Sequence, residues 1–168
     1  MSTQFEYRSA SSHPAADVYA AMVDPEYLRA RLAQIGGPGA GLLEHTADAD
    51  GARYRLRHGL DPEALPAVVR GVLPGDVVIE RAESWKREGP GRYTGDVTVT
   101  IPGAPGSAAG VMRLNDLPAG SELDIRVDVT VKVPLVGGLI EGSVGNHVTG
   151  LLASEAEFTQ RWLAQRQG

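Results

Sequence analysis

Glu155 stands where a helix asks for an apolar side chain. Val144, Val148, Leu151, Phe158 and Trp162 recur at three- and four-residue steps, so they fall on one stripe. The same steps reach position 155, and a carboxylate sits there. Two placements are open. At the margin of the stripe Glu155 pairs with an arginine or reaches solvent. Inside the fold its charge needs a partner or its pKa rises, and it becomes the leading candidate for a functional group. Exchange for glutamine is expected to leave the fold intact and alter binding.

Tyr54 and His58 form a second pair with chemistry. Between Ala52 and His58 the chain alternates, with Tyr54, Leu56 and His58 on one side and Arg53, Arg55 and Arg57 on the other. A phenol and an imidazole on an otherwise apolar face could fix the polar end of a ligand, or serve only the structure. The arginines read as a solvated outer face. Trp85 belongs to the core or to a cavity wall, and its indole N–H wants a partner. Ser143 and His147 lie four apart on the helix and could touch. Glu141-Gly-Ser-Val-Gly145 comes near the serine-hydrolase elbow but lacks its first glycine and its strand-turn-helix setting.

The remaining histidines, His13 and His45, read as a helix-start residue and a strand residue. No spacing suggests three converging metal ligands, and no phosphate loop, His-Glu-x-x-His or dinucleotide fingerprint is present. With no cysteine, disulfides, thiolate catalysis and cysteine-ligated metals are excluded. The expectation is no catalytic residue, no metal and no cofactor. A formal net charge of -5 argues against nucleic acid or an anionic membrane as partner. No signal segment is apparent, and no run approaches the roughly eighteen apolar residues of a spanning helix. A cytoplasmic location without integral membrane association is expected. The oligomeric state is not legible.

The elements that must position these residues follow from period. Ser121 to Val133 alternates strictly: Leu123, Ile125, Val127, Val129, Val131 and Val133 on one face, charged or polar residues on the other. Pro134 ends the ladder, Gly137-Gly138 offers freedom to turn, and a helix runs from Leu139. Earlier, Thr3 to Ser9 reads as a strand. Ser11-Ser12-His13-Pro14 and Asp24-Pro25-Glu26 then start two short helices. Strands at 42–47, 52–58, 77–87, 92–101 and 107–117 follow, split by turn residues such as Asp50-Gly51. A connection from Leu60 to Leu73 holds one helical turn. The 168 residues make one domain.

The order strand, two short helices, antiparallel strands and long C-terminal helix resembles the helix-grip fold of START domains, pollen-allergen-like proteins and polyketide cyclases (the SRPBCC superfamily). Ser12-His-Pro-Ala-Ala-Asp-Val-Tyr19, Asp24-Pro-Glu-Tyr27 and Val133-Pro-Leu-Val-Gly-Gly-Leu-Ile-Glu141 carry the likeness. Within it, Glu83-Ser-Trp85, Ile101-Pro-Gly-Ala-Pro-Gly106 with Gly110-Val-Met-Arg-Leu114, and Glu155 to Leu163 are similar to an actinobacterial family of unknown function. The resemblance implies an α+β domain in which a curved antiparallel sheet of about six to seven strands grips the helix around a cavity for an apolar molecule or lipid. Tyr54, His58, Trp85, Val127, Val129, His147, Leu151 and Glu155 are the expected ligand contacts. Two other classes stay open. One is a cyclase or hydratase using Tyr54, His58 or Glu155 as acid or base; the other is a co-chaperone-like interaction module, marked by a filled core and an exposed apolar patch.

Overall fold

The alternation from Ser121 builds β7 (Gly120–Val131), one of the two strands on which the long C-terminal helix packs. Ile125, Val127 and Val129 point inward and are buried, while Arg126 and Asp128 are exposed. The computed structural model describes residues 2–61, 63, 65–71 and 77–167. Around β7 lie β1 (Ser2–Ser11), β2 (Gly41–Ala47), β3 (Gly51–Leu60), β4 (Val77–Gly89), β5 (Arg92–Thr100) and β6 (Gly106–Leu117). They form one antiparallel sheet of seven strands in the order β1-β7-β6-β5-β4-β3-β2. Hairpin neighbours pair in sequence, and only β1 crosses to join the last strand.

One face of this sheet is apolar and must be covered. Helix α4 (Gly137–Gln167) covers it, packing on β1 and β7 and against the two short helices, α1 (Ala15–Met22) and α2 (Pro25–Ile35). One contact sets its height. Gly145 lies on the Phe5 ring so closely that a Cβ there would overlap it. Gly142 and Gly150 face open space instead, so close packing explains only Gly145 of the three. At the other end Tyr27, Phe158 and Trp162 meet ring to ring, with centroids 5.6–6.2 Å apart.

Three local expectations need correction. α1 has no side-chain cap of its own: Pro14 occupies the cap position, and Asp116 Oδ1 from β6 accepts the Ala15 N–H at 2.7 Å. α2 does use its predicted cap, Asp24 accepting from the Glu26 N–H. β7 stops at Val131, not at Pro134: its described pairing reaches Gly106 of β6 opposite Val131 and Ser2 of β1 opposite Thr130, with one further bond from the Lys132 N–H to Pro105 O. The reversal into α4 falls on Leu135, at φ 71, and not on Gly137-Gly138, which already lie in the helix.

Glu141, in the first turn and a half of α4, ties the helix to the sheet. It is buried, accepting from Thr3 Oγ1 at 2.7 Å and from the Val131 N–H at 2.9 Å. Those bonds, the one to Thr3 first, hold its carboxyl below the usual carboxylate range. The helical turn expected in the 60–73 connection is α3 (Ala67–Arg70); positions 62, 64, 72 and 73 of that stretch lie outside the described residues.

Candidate functional site

Strand period puts Tyr54, Leu56 and His58 of β3 on the inner face, and Arg81, Glu83 and Trp85 of β4 share it. Register sets Tyr54 opposite Glu83, Leu56 opposite Arg81 and His58 opposite Ile79. His58 and Arg81 are therefore diagonal neighbours, within reach of the same space. The end of β3 is pinned by the loop after α2. The Gly59 N–H donates to Gly36 O at 2.9 Å, and a side chain at Gly59 would run into Pro38 O.

Above these strands α2 contributes Tyr27 and Arg31, and α4 contributes Glu155 and Thr159; all four are buried. Arg81 Nη1 donates to both Glu155 oxygens at 2.8 and 3.1 Å, and its Nε lies 2.8 Å from Glu83 Oε2. Arg31 Nε lies 3.6 Å from Glu155 Oε2. Arg31 Nη1 reaches the Tyr27 hydroxyl at 3.5 Å. Since Thr159 Oγ1 donates to Glu155 O, the 2.6 Å bond between Tyr27 and Thr159 takes its proton from the tyrosine. On the far side Trp85 Nε1 donates to Tyr54 OH, which donates to Glu83 Oε1, each at 3.1 Å.

Two guanidiniums and two carboxylates thus neutralise one another out of water. Burial alone would push the Glu155 carboxyl up; Arg31 and Arg81 outweigh it and hold the group at about 2. Burial also disfavours the charges on Arg31 and Arg81, yet Glu155 keeps both more firmly protonated than usual. Burial, then Glu83, raises the Tyr54 phenol well above its ordinary value. Glu155 is therefore interior and paired, which merges the two placements its spacing left open. Exchange for glutamine becomes a stability lesion, since buried Arg31 would lose its ion-pair partner and Arg81 would keep only Glu83.

Next to this network lies a cavity of about 160 Å³ between the sheet and the first half of α4. Its walls are apolar: Val97, Met112, Ile125, Val127 and Val129 from the sheet, Ile140, Val144, Val148 and Leu151 from α4, Val69 from α3 and Leu65 just before it. His58 and Arg81 stand in the wall at the network's end. His58 is 5% exposed and its Nε2 has no hydrogen-bond partner among the described residues. Burial, then Arg81, lowers its pKa to about 4, so the ring is neutral near pH 7.

Of the eight residues expected to meet a ligand, five line this cavity: His58, Val127, Val129, Leu151 and, from an exposed position, His147. Tyr54, Trp85 and Glu155 do not. Their polar atoms are turned into the network, which satisfies them better than an apolar space could. Ser143 and His147 make no hydrogen bond with each other among the described residues, and no three His, Asp or Glu side chains there converge as a metal site. Sequence reasoning passed over Arg31, Arg81 and Glu83. A cue existed for two of them, since Arg81 and Glu83 share the parity of buried Trp85 on one strand.

Residues 6–163 match a family described as a protein of unknown function, DUF2505. The chain belongs to that family. Among DUF2505 relatives, the uncharacterised protein Rv0481c of Mycobacterium tuberculosis is 26% identical over 154 residues, 88% of each chain. Solved structures share the helix-grip fold at low identity. TTHA0849 from Thermus thermophilus is 15% identical, with a TM-score of 0.66, over 99% of this chain and 100% of its own. Ara h 8.0201 is 15% identical with a TM-score of 0.58, over 98% and 99%. Norcoclaurine synthase from Thalictrum flavum is 15% identical with a TM-score of 0.59, over 98% and 87%. This DUF2505 chain is thus a helix-grip protein.

Proposed function

We propose that the protein binds a small apolar molecule between the sheet and the first half of α4. The observation that carries this is the cavity itself, about 160 Å³ with walls of valine, isoleucine, leucine and methionine. A dry apolar cavity of about 150 Å³ accommodates benzene, so this one suits a substituted ring or a short alkyl chain. A polycyclic or long-chain ligand needs the first half of α4 to move outward. A core with room in it also fits a filled-core interaction module less well. Titration calorimetry with butylbenzene, a neutral probe, tests the reading. One site per chain is expected, lost on Val129→Trp, which fills the cavity; no binding and no thermal stabilisation would sink it.

A second reading, a cyclase-type enzyme, draws on the unpartnered His58 Nε2 in the cavity wall. It is the weaker one. An imidazole held near 4 is a poor base at neutral pH. Tyr54 and Glu155, the other acid–base candidates, are engaged behind the wall.

A further inference from the structure

The polar end of the cavity is built asymmetrically. Arg81 spends Nε on Glu83 and Nη1 on Glu155, which leaves Nη2 out of these bonds while the residue still lines the cavity. A guanidinium offers hydrogens and no lone pair. Beside it, on the same face, His58 Nε2 is buried and unpartnered. A buried polar nitrogen without a hydrogen bond costs about 1–3 kcal/mol, a cost that apolar neighbours such as Leu60 and Ile79 cannot relieve. The charges that face the imidazole are Arg81, Glu155 and Arg31, and among them Arg81 acts most strongly. In the tautomer that carries its proton on Nε2, the imidazole adds an N–H to the guanidinium edge and makes a donor end in a site that is apolar elsewhere.

We infer that the occupant is an amphipath whose apolar body fills the cavity and whose hydrogen-bond-accepting end, a carboxylate or a carbonyl, docks on His58 Nε2 beside Arg81. This rests on the cavity-binding reading and narrows it to one chemical class. In that complex His58 carries its proton on Nε2 and donates it. An ammonium end, which has only hydrogens to offer, would meet the donors and the charge of Arg81 and is rejected.

Four probes with one body separate the possibilities: butylbenzene, 4-butylbenzoate, 4-butylacetophenone and 4-butylbenzylamine, titrated calorimetrically into the full chain at pH 7.5. Benzoate or acetophenone, or both, should bind at least about tenfold more tightly than butylbenzene, and benzylamine more weakly. Which of the two gains tells a carboxylate from a carbonyl. His58→Leu should remove that advantage, read as the ratio of benzoate or acetophenone affinity to butylbenzene affinity within the same variant; His58→Gln, which keeps a donor, should restore part of it. If butylbenzene binds but the amine matches the benzoate and the ketone, or if the advantage survives His58→Leu, the head-group inference is wrong and the cavity reading stands. If butylbenzene also fails to bind, both fall.

Discussion

Removing the Glu155 charge leaves Arg31 as a buried cation without an ion-pair partner and leaves Arg81 with Glu83 alone. Uncompensated charge of that kind costs about 3–5 kcal/mol, so Glu155→Gln should lower unfolding stability by that much, read from the urea midpoint, without touching the cavity wall. His58 makes a separate prediction about acid. Its folded pKa, about 4, lies below the ordinary 6.5, so the unfolded chain binds the extra proton between those values. Stability then rises with pH from 4 to 6.5, by at most about 3 kcal/mol, and is lost as pH falls. Glu155, held at about 2, loses its contribution lower, as pH falls from about 4.5. Unfolding midpoints across pH 3–8 should show the upper slope in the native chain and not in His58→Leu. How far these residues were legible differs by cause. Alternation alone placed Tyr54 and His58 on one inner face. The partners of Glu155 were hidden, because Arg81 lies 74 residues away and only the sheet order brings it near.

Along α4 the division of labour falls between its halves. From Glu155 to Leu163 the helix is locked by the charge network and by Phe158, Thr159 and Leu163, all buried. From Gly137 to Leu151 it faces the cavity, and Gly142 and Gly150 have open space around them. Each of those glycines weakens the helix by up to about 1 kcal/mol relative to alanine. Gly142→Ala and Gly150→Ala should therefore raise the melting temperature and slow dissociation of a bound probe in stopped-flow displacement. Gly145→Ala should do the opposite to stability, because its Cβ meets the Phe5 ring. Hydrogen exchange should find the first half less protected than the second; equal protection would contradict an outward movement of this half to admit larger ligands. Sequence period revealed α4 and β7 because both carry one buried face over many residues. It could not separate the three glycines, since what each one touches depends on a strand from the other end of the chain.

For the whole molecule, the pattern of one strand, two short helices, hairpin-linked strands and a long helix was readable, and the seven-stranded helix-grip architecture follows it. Hairpins with glycine-rich turns constrain neighbours locally, which is why most of the sheet order could be read along the chain. The cavity was not readable in the same way. An apolar side chain that lines a void and one that fills the core look alike in sequence: Val127 and Leu56 both alternate inward on a strand, and only Val127 lines the cavity. No helix among the described residues is long and apolar enough to cross a membrane. The account stands or falls on whether the space under α4 is a binding site. Native mass spectrometry of freshly purified protein, with extraction of any bound molecule and then addition of butylbenzene, tests this most directly. The account predicts one apolar molecule per chain, native or added, absent from Val129→Trp. A chain that emerges empty and stays empty with the probe in excess would contradict it.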